Sequence, residues 1–403
     1  MTAPPQSRTG EPIIAGIVTA LVGFTSSFVV VVAGLRAVGA DPRQASSGLF
    51  ALTVVFALGI VFLCVRTRMP ITLAWSTPGA AMLVAVGPSY HAGWSAAVGA
   101  FLVVGVLILA TGLIPALGEL IGRIPTPLAQ AMLAGVLLTL CLAPVKSLAV
   151  QPLLTLPIIV VWLAAMRWLT RWALPLALVT ALAVIGIYLA VHGVRSWGDT
   201  PWWPVLEWTT PGFDVGALVG LALPLYIVTM ASQNIPGVAV LKSFGYQAPW
   251  RLSMTVTGLG TMLVAPFGGH AINLAALSAA LAAGDEAGED RSRRWIAGLS
   301  GGATYLLLAV FAGALVTITT VAPDGLLEAV AGLALLATFA SAVVGAFTHE
   351  AYRIPAALTF ITAAAGISFW GIGGAFWALV VGLVSHGVLS AGRASEPAES
   401  EVQ

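Results

Sequence analysis

The chain has 403 residues, 59% hydrophobic and 8% charged. Soluble domains carry roughly 25% charged residues, so this balance, with a mean hydropathy of +0.99, excludes a soluble globular protein and places the chain in a lipid bilayer. A formal net charge of +1 gives no footprint for nucleic acid, and Cys64 and Cys141 lie inside apolar runs, as free buried thiols rather than a disulfide or metal set.

Polar residues up to Pro12 lead straight into a full-length apolar run, without the pattern of a cleaved signal, so 1–12 reads as a tail. Apolar runs that cross, or cross as broken pieces, follow at 13–35, 49–65, 71–87, 94–113, 128–143, 153–168 and 172–191. A polar loop rich in Trp and Pro covers 193–212. The second half gives 213–232 with an extension to 244, then 252–264, 266–283, 295–321, 326–347, 354–370 and 374–389. The reading is an all-α integral membrane protein of fourteen segments. It divides into a first seven-segment repeat at 13–192, the loop, a second at 213–391 and a tail at 392–403.

Two of these runs are broken. In the tenth, Pro266-Phe267-Gly268-Gly269-His270-Ala271-Ile272-Asn273 is a poor helix, and the following run from Leu274 is a good one that Gly284 stops. Asn273 is the expected N-cap. Ten helical residues at about 1.5 Å each make about 15 Å, half of a hydrocarbon core of roughly 30 Å. The third run repeats the pattern: aligning Pro70 with Pro266 puts Thr77 opposite Asn273, with Pro78 behind it, Ser76 before it and Gly87 closing the run. Two capped half-helices at matching places point to a central site.

Leu35-Arg36-Ala37-Val38-Gly39 resembles Leu241-Lys242-Ser243-Phe244-Gly245, each at the end of the first segment of its half. Because seven is odd, the second copy enters from the opposite side, which gives an inverted repeat of the kind secondary transporters use. With the N-terminus inside, thirteen of the seventeen basic residues gather on one side, against Arg36, Arg43, Lys146 and Arg195 on the other. Both termini are therefore expected in the cytoplasm.

Asp and Glu are nearly absent from the spans: Glu119, Asp214, Asp324, Glu328 and Glu350 fall at or beyond their ends. A cation site would keep an intramembrane carboxylate. The available field is instead that of two half-helix N-termini, each with free N–H groups and about half a positive charge, so the expected ligand is an anion near the midplane. His270 is the titratable side chain in the broken tenth run and either binds the anion, carries a coupled proton, or bonds neutrally between helices. Gln233 and Asn234, just before Pro236, align with Ser27 and Phe28 and read equally as a polar site or as interhelical bonding. Thr25, Ser26 and Ser27 either bond back to their own helix or touch ligand. Trp75 and Phe267 are candidates for an aromatic wall; Trp197, Trp202, Trp203 and Trp208 suit the outer interface. The Gly-rich stretch 298–302 reads as close helix packing, and no nucleophile with a base partner can be assembled, so no enzyme is expected.

The stretches Gln233-Asn234-Ile235-Pro236-Gly237-Val238-Ala239-Val240-Leu241, Ala265-Pro266-Phe267-Gly268-Gly269-His270-Ala271-Ile272-Asn273 and Arg353-Ile354-Pro355-Ala356-Ala357-Leu358-Thr359-Phe360 resemble the benzoate/proton symporters of the BenE family, over nearly the whole chain. The resemblance implies uptake of benzoate with a proton across the bacterial inner membrane, on a fold similar to the nucleobase/ascorbate transporters. It also implies a core domain of segments one to four and eight to eleven that moves against a gate domain of five to seven and twelve to fourteen. Nucleobase permeases of that fold hold substrate with acidic residues that fall near Gln233 and His270 here. Their absence fits an anionic ligand and leaves His270 or the substrate's own acid group to carry the proton. The expected substrate-binding set is Ser27, Trp75, Ser76, Thr77, Gln233, Asn234, Phe267, His270 and Asn273, with no cofactor and no metal. A homodimer is compatible with this reading; the alternatives are a nucleobase or inorganic anion transporter of the same fold, or an anion channel.

Overall fold

In the computed structural model, residues 10–193, 201–369 and 372–393 are described; Arg195, Trp197 and the last residue of the 354–370 run lie outside the described residues. α1 (Gly10–Thr25) and α2 (Phe28–Ala37) form one apolar run of 28 residues that breaks at Ser26 and Ser27. The break has a local cause. The hydroxyls of Thr25, Ser26 and Ser27 donate to the carbonyls of Leu21 and Gly23 and compete with the backbone ladder. α3 (Pro42–Thr67) opens in a capping box between Asp41 and Gln44 and stops at Arg68, whose φ of 57° ends the helix in the left-handed region.

β1 (Leu73–Trp75) leads into α4 (Thr77–Val86), followed by α5 (Trp94–Leu113) and the short α6 (Pro115–Gly122). The first half closes with α7 (Thr126–Cys141), α8 (Ala143–Val150), α9 (Pro152–Trp168) and α10 (Ala173–His192). Val215–Ser243 then runs as one helix. Its α-helical pieces are α11 (Val215–Ala217), α12 (Leu223–Thr229) and α13 (Ile235–Ser243), joined by π-helical turns at Leu218–Ala222 and Met230–Asn234. Pro236 has no N–H to give to the Ser232 carbonyl, and the second π turn takes up that irregularity.

α14 (Trp250–Val264), β2 (Ile272–Leu274) and α15 (Ala276–Ala283) come next. α16 (Trp295–Ala309) and α17 (Ala312–Val321) follow, bent by 54° at their junction. The chain ends with α18 (Leu326–Phe347), α19 (Arg353–Ala364), the strands β3 (Ser368–Phe369) and β4 (Ile372–Gly373), and α20 (Gly374–Arg393). Each apolar run expected from the sequence holds a helix. Among the described residues, eight helices are long and apolar enough to cross a bilayer, or nine with α16 and α17 as one broken span.

Two expectations need correcting. The chain is not purely helical, because β1 pairs antiparallel with β2 and β3 with β4. The tenth-segment helix also starts at Ala276, not behind Asn273, which lies in β2. Thr77 therefore corresponds to Ala276, three residues from the alignment the prolines implied.

The helices gather into two packing groups. α1, α3, α5, α14 and α16 hold to one another, as do α7, α9, α10, α18, α19 and α20. Glycine sets the closeness in the first group: a Cβ on Gly16 would stand 2.1 Å from the Ala297 carbonyl oxygen, and one on Gly258 2.6 Å from the Leu109 nitrogen. Lipid is as apolar as leucine, so membrane helices associate through such small-residue contacts. The stretch 298–302 behaves as expected, with Gly301 against Gly16 and Gly302 against Ala57.

Candidate functional site

β1 and β2 cross where the two broken segments meet, with Leu73 opposite Leu274, Ala74 opposite Asn273 and Trp75 opposite Ile272. The pairing extends on both sides, from the Ser76 N–H to the Ala271 carbonyl and from the Ala275 N–H to the Thr72 carbonyl, each at 3.0 Å. Antiparallel strands send α4 and α15 away in opposite directions. Their N-termini consequently stay beside the crossing, and residues from both line one cavity of about 130 Å³. A cavity of roughly 150 Å³ holds a benzene ring, so this space is of single-ring size.

The cavity has one aromatic side. Trp75 is fixed by its indole N–H, which donates to the Ser27 hydroxyl at 2.8 Å, and by Phe24 and Phe56 at centroid distances of 5.3 and 5.5 Å. Phe56 meets Tyr305 edge-on at 4.8 Å, and the Tyr305 hydroxyl bonds to Ser278. Among the described residues, no charged side chain lines this space. Its polar groups are the hydroxyls of Ser26, Ser27, Thr77, Ser278, Tyr305 and Thr338, the Gln233 amide and the helix ends.

The two helix ends differ. At α4, Ser76 is the cap: its hydroxyl accepts from the Gly79 N–H at 3.2 Å and from the Thr229 hydroxyl at 2.9 Å, while Pro78 has no N–H to offer. At α15 the cap position is Ala275, which has no side-chain acceptor. Its first-turn residues Ala276, Leu277 and Ser278 all line the cavity. First-turn amides have no partner within their own helix, so α15 brings N–H groups and the positive end of its dipole to this space without an internal acceptor.

Ser27, Trp75, Thr77 and Gln233 line the cavity, and Ser76, between Trp75 and Thr77 in the chain, does not. Asn234, His270 and Asn273 are fully buried in the crossing instead. The Asn234 Oδ1 accepts from the Leu274 N–H at 2.9 Å, and Gly237 lets β2 approach, since a Cβ there would sit 2.8 Å from that of Leu274. The His270 Nε2 donates to the Ser76 carbonyl at 3.0 Å, and its Nδ1 has no partner. Asn273 donates through Nδ2 to the Leu274 carbonyl at 2.8 Å and caps no helix.

Phe267 is a correction: its ring packs on Trp208 at 5.5 Å, and its carbonyl accepts from Ser47 at 2.8 Å, away from the cavity. Sequence reasoning passed over Phe56, Ser278, Tyr305 and Thr338. Only Tyr305 left a trace, a lone phenol in a glycine-rich apolar run whose hydroxyl comes within 2.3 Å of where a Cβ on Gly23 would be.

Comparison with known proteins agrees with this architecture. A family model described as benzoate membrane transport protein matches residues 8–388. The inner membrane protein YdcO of Escherichia coli (strain K12) is 36% identical over 380 residues, which cover 94% of this chain and 95% of that protein. A benzoate membrane transport protein of Acinetobacter baylyi is 28% identical over 382 residues, covering 95% and 96%. Among solved structures, the transmembrane domain of the cyanobacterial bicarbonate transporter BicA superposes with a TM-score of 0.57 at 16% identity, covering 96% of this chain and 98% of that one. SLC26A9 gives 0.60 at 13%, covering 99% and 69%. At these identities the structural likeness speaks for the fold alone.

Proposed function

This chain belongs to the benzoate membrane transport protein family, and from that membership we propose that it is a secondary active transporter importing an aromatic carboxylate, benzoate, with a proton. The observation that carries the proposal is the ring-sized cavity between an aromatic wall and the uncapped N-terminus of α15. The ring lies against Trp75, Phe56 and Tyr305. The carboxylate accepts from the first-turn amides of α15, with Ser278, Thr77 and Gln233 beside it. Helix N-termini hold anions in this way without a cationic side chain. The lack of any acidic side chain among the described residues around the cavity favours a carboxylate over a nucleobase.

The rest follows the same reading. The chain makes fourteen segments in two inverted repeats, with both termini on the cytoplasmic side of the bacterial inner membrane, and functions alone or as a homodimer. The two packing groups are the core and the gate, and the cavity lies between them, since Leu174 and Leu335 of the second group complete its wall. His270 couples the proton: Nε2 is committed to the Ser76 carbonyl, so Nδ1 takes it, and the imidazolium adds positive charge at the head of α4.

Uptake of radiolabelled benzoate into proteoliposomes under an imposed pH gradient tests the proposal. Accumulation should follow the gradient, and flux indifferent to it would refute symport. Competition by unlabelled benzoate, with none by uracil or sulfate, separates this reading from a nucleobase or inorganic anion carrier. His270→Ala should abolish proton-driven accumulation; an unchanged pH profile removes its assigned role and leaves the substrate's own acid group as the carrier.

A further inference from the structure

A second hollow, of about 210 Å³, opens on the face where α1 begins, walled by Ile14, Val18, Thr19 and Leu281. It follows the same elements as the central cavity, one turn further along. Thr19 stands four residues before Gly23 on α1, and Leu281 four after Leu277 on α15, a displacement of about 6 Å. Arg171, Glu11 and Glu286 also line it, and Arg171 is paired with Glu286. Arg171 sits between α9 and α10, whereas Glu286 follows α15, so the pair ties these two parts of the chain together beside the hollow. Both side chains stay about half exposed, at 52% and 46%. Such wet pairs exchange partners at little cost.

We infer a second carboxylate subsite in this hollow: Arg171 takes the carboxylate of the aromatic acid in place of Glu286, while the ring rests on Ile14, Val18 and Leu281. The inference depends on the aromatic-carboxylate reading of the central cavity. Its chemistry is already displayed, because the guanidinium holds a carboxylate beside an apolar wall, and its planar fork fits any carboxylate equally well. Glu11 and Glu286 compete for that one cation. A ligand is therefore held briefly and released.

The test is the half-saturation for benzoate in right-side-out and inverted membrane vesicles carrying wild type, Arg171→Gln or Glu286→Gln. Both variants break the same ion pair, so a bracing role alone moves both in one direction. A subsite moves them apart: Arg171→Gln raises half-saturation about tenfold at the face that carries Gly10, Glu286→Gln lowers it, and the opposite face is unchanged in both. Arg171→Lys, which keeps the charge and loses the fork, falls between. Shifts in the same direction, or none, overturn the subsite while wild-type benzoate transport leaves the central reading standing. Wild type that moves no benzoate from either face overturns both.

Discussion

The short helices α4 and α15 both lead out of the strand crossing, yet their N-termini are built differently. α4 answers its own amides, with Ser76 as acceptor and Pro78 removing one donor. α15 begins at Ala275 with neither device. One end is thus satisfied by its own cap, and the other is left without one.

Substitutions can break or sharpen that contrast. The largest effect is expected from Asn234→Ala, which strands the buried Leu274 N–H and undermines the strand that carries α15; the loss is about 1–3 kcal/mol of stability, read from thermal or denaturant unfolding in detergent. Gln233→Ala, one residue away, should weaken binding and leave unfolding nearly untouched. Copying the α4 design with Leu277→Pro removes one amide from the cavity at a position where first-turn proline is tolerated, and benzoate affinity should fall about tenfold. Affinity unchanged by that variant would take the anion away from α15. Ser76→Ala should cost about 1 kcal/mol of stability with a smaller change in affinity, since its acceptor serves the helix. The smallest effect belongs to Ala275→Ser: the new cap should stabilise by about 0.5 kcal/mol and weaken benzoate about threefold, so stability and affinity move in opposite directions.

Much of this was legible in the sequence because proline and glycine punctuate so strongly. Pro70 and Gly87, and Pro266 and Gly284, bracketed the two broken segments, and the composition placed the chain in the bilayer. The start of α15 was misread for a definite reason. Asn273 is a good cap type, but the Ile272 and Leu274 amides are taken by the Thr261 hydroxyl and the Asn234 side chain, which hold the chain extended for three more residues. Those partners are 11 and 40 residues away in sequence, outside the reach of any local rule. Phe267 failed similarly, since proximity in sequence to His270 said nothing about the turn at Gly268, φ 93°, that directs it toward Trp208. Tyr305 and Thr338 come from helices whose facing was not readable from an apolar pattern with no polar stripe.

The strand crossing also has a meaning for biogenesis. Thr72 and Ala275 are 203 residues apart and still share a hydrogen bond. The first half-helix is therefore made well before the segment it pairs with leaves the ribosome. No fragment ending earlier contains the α15 residues that line the central cavity.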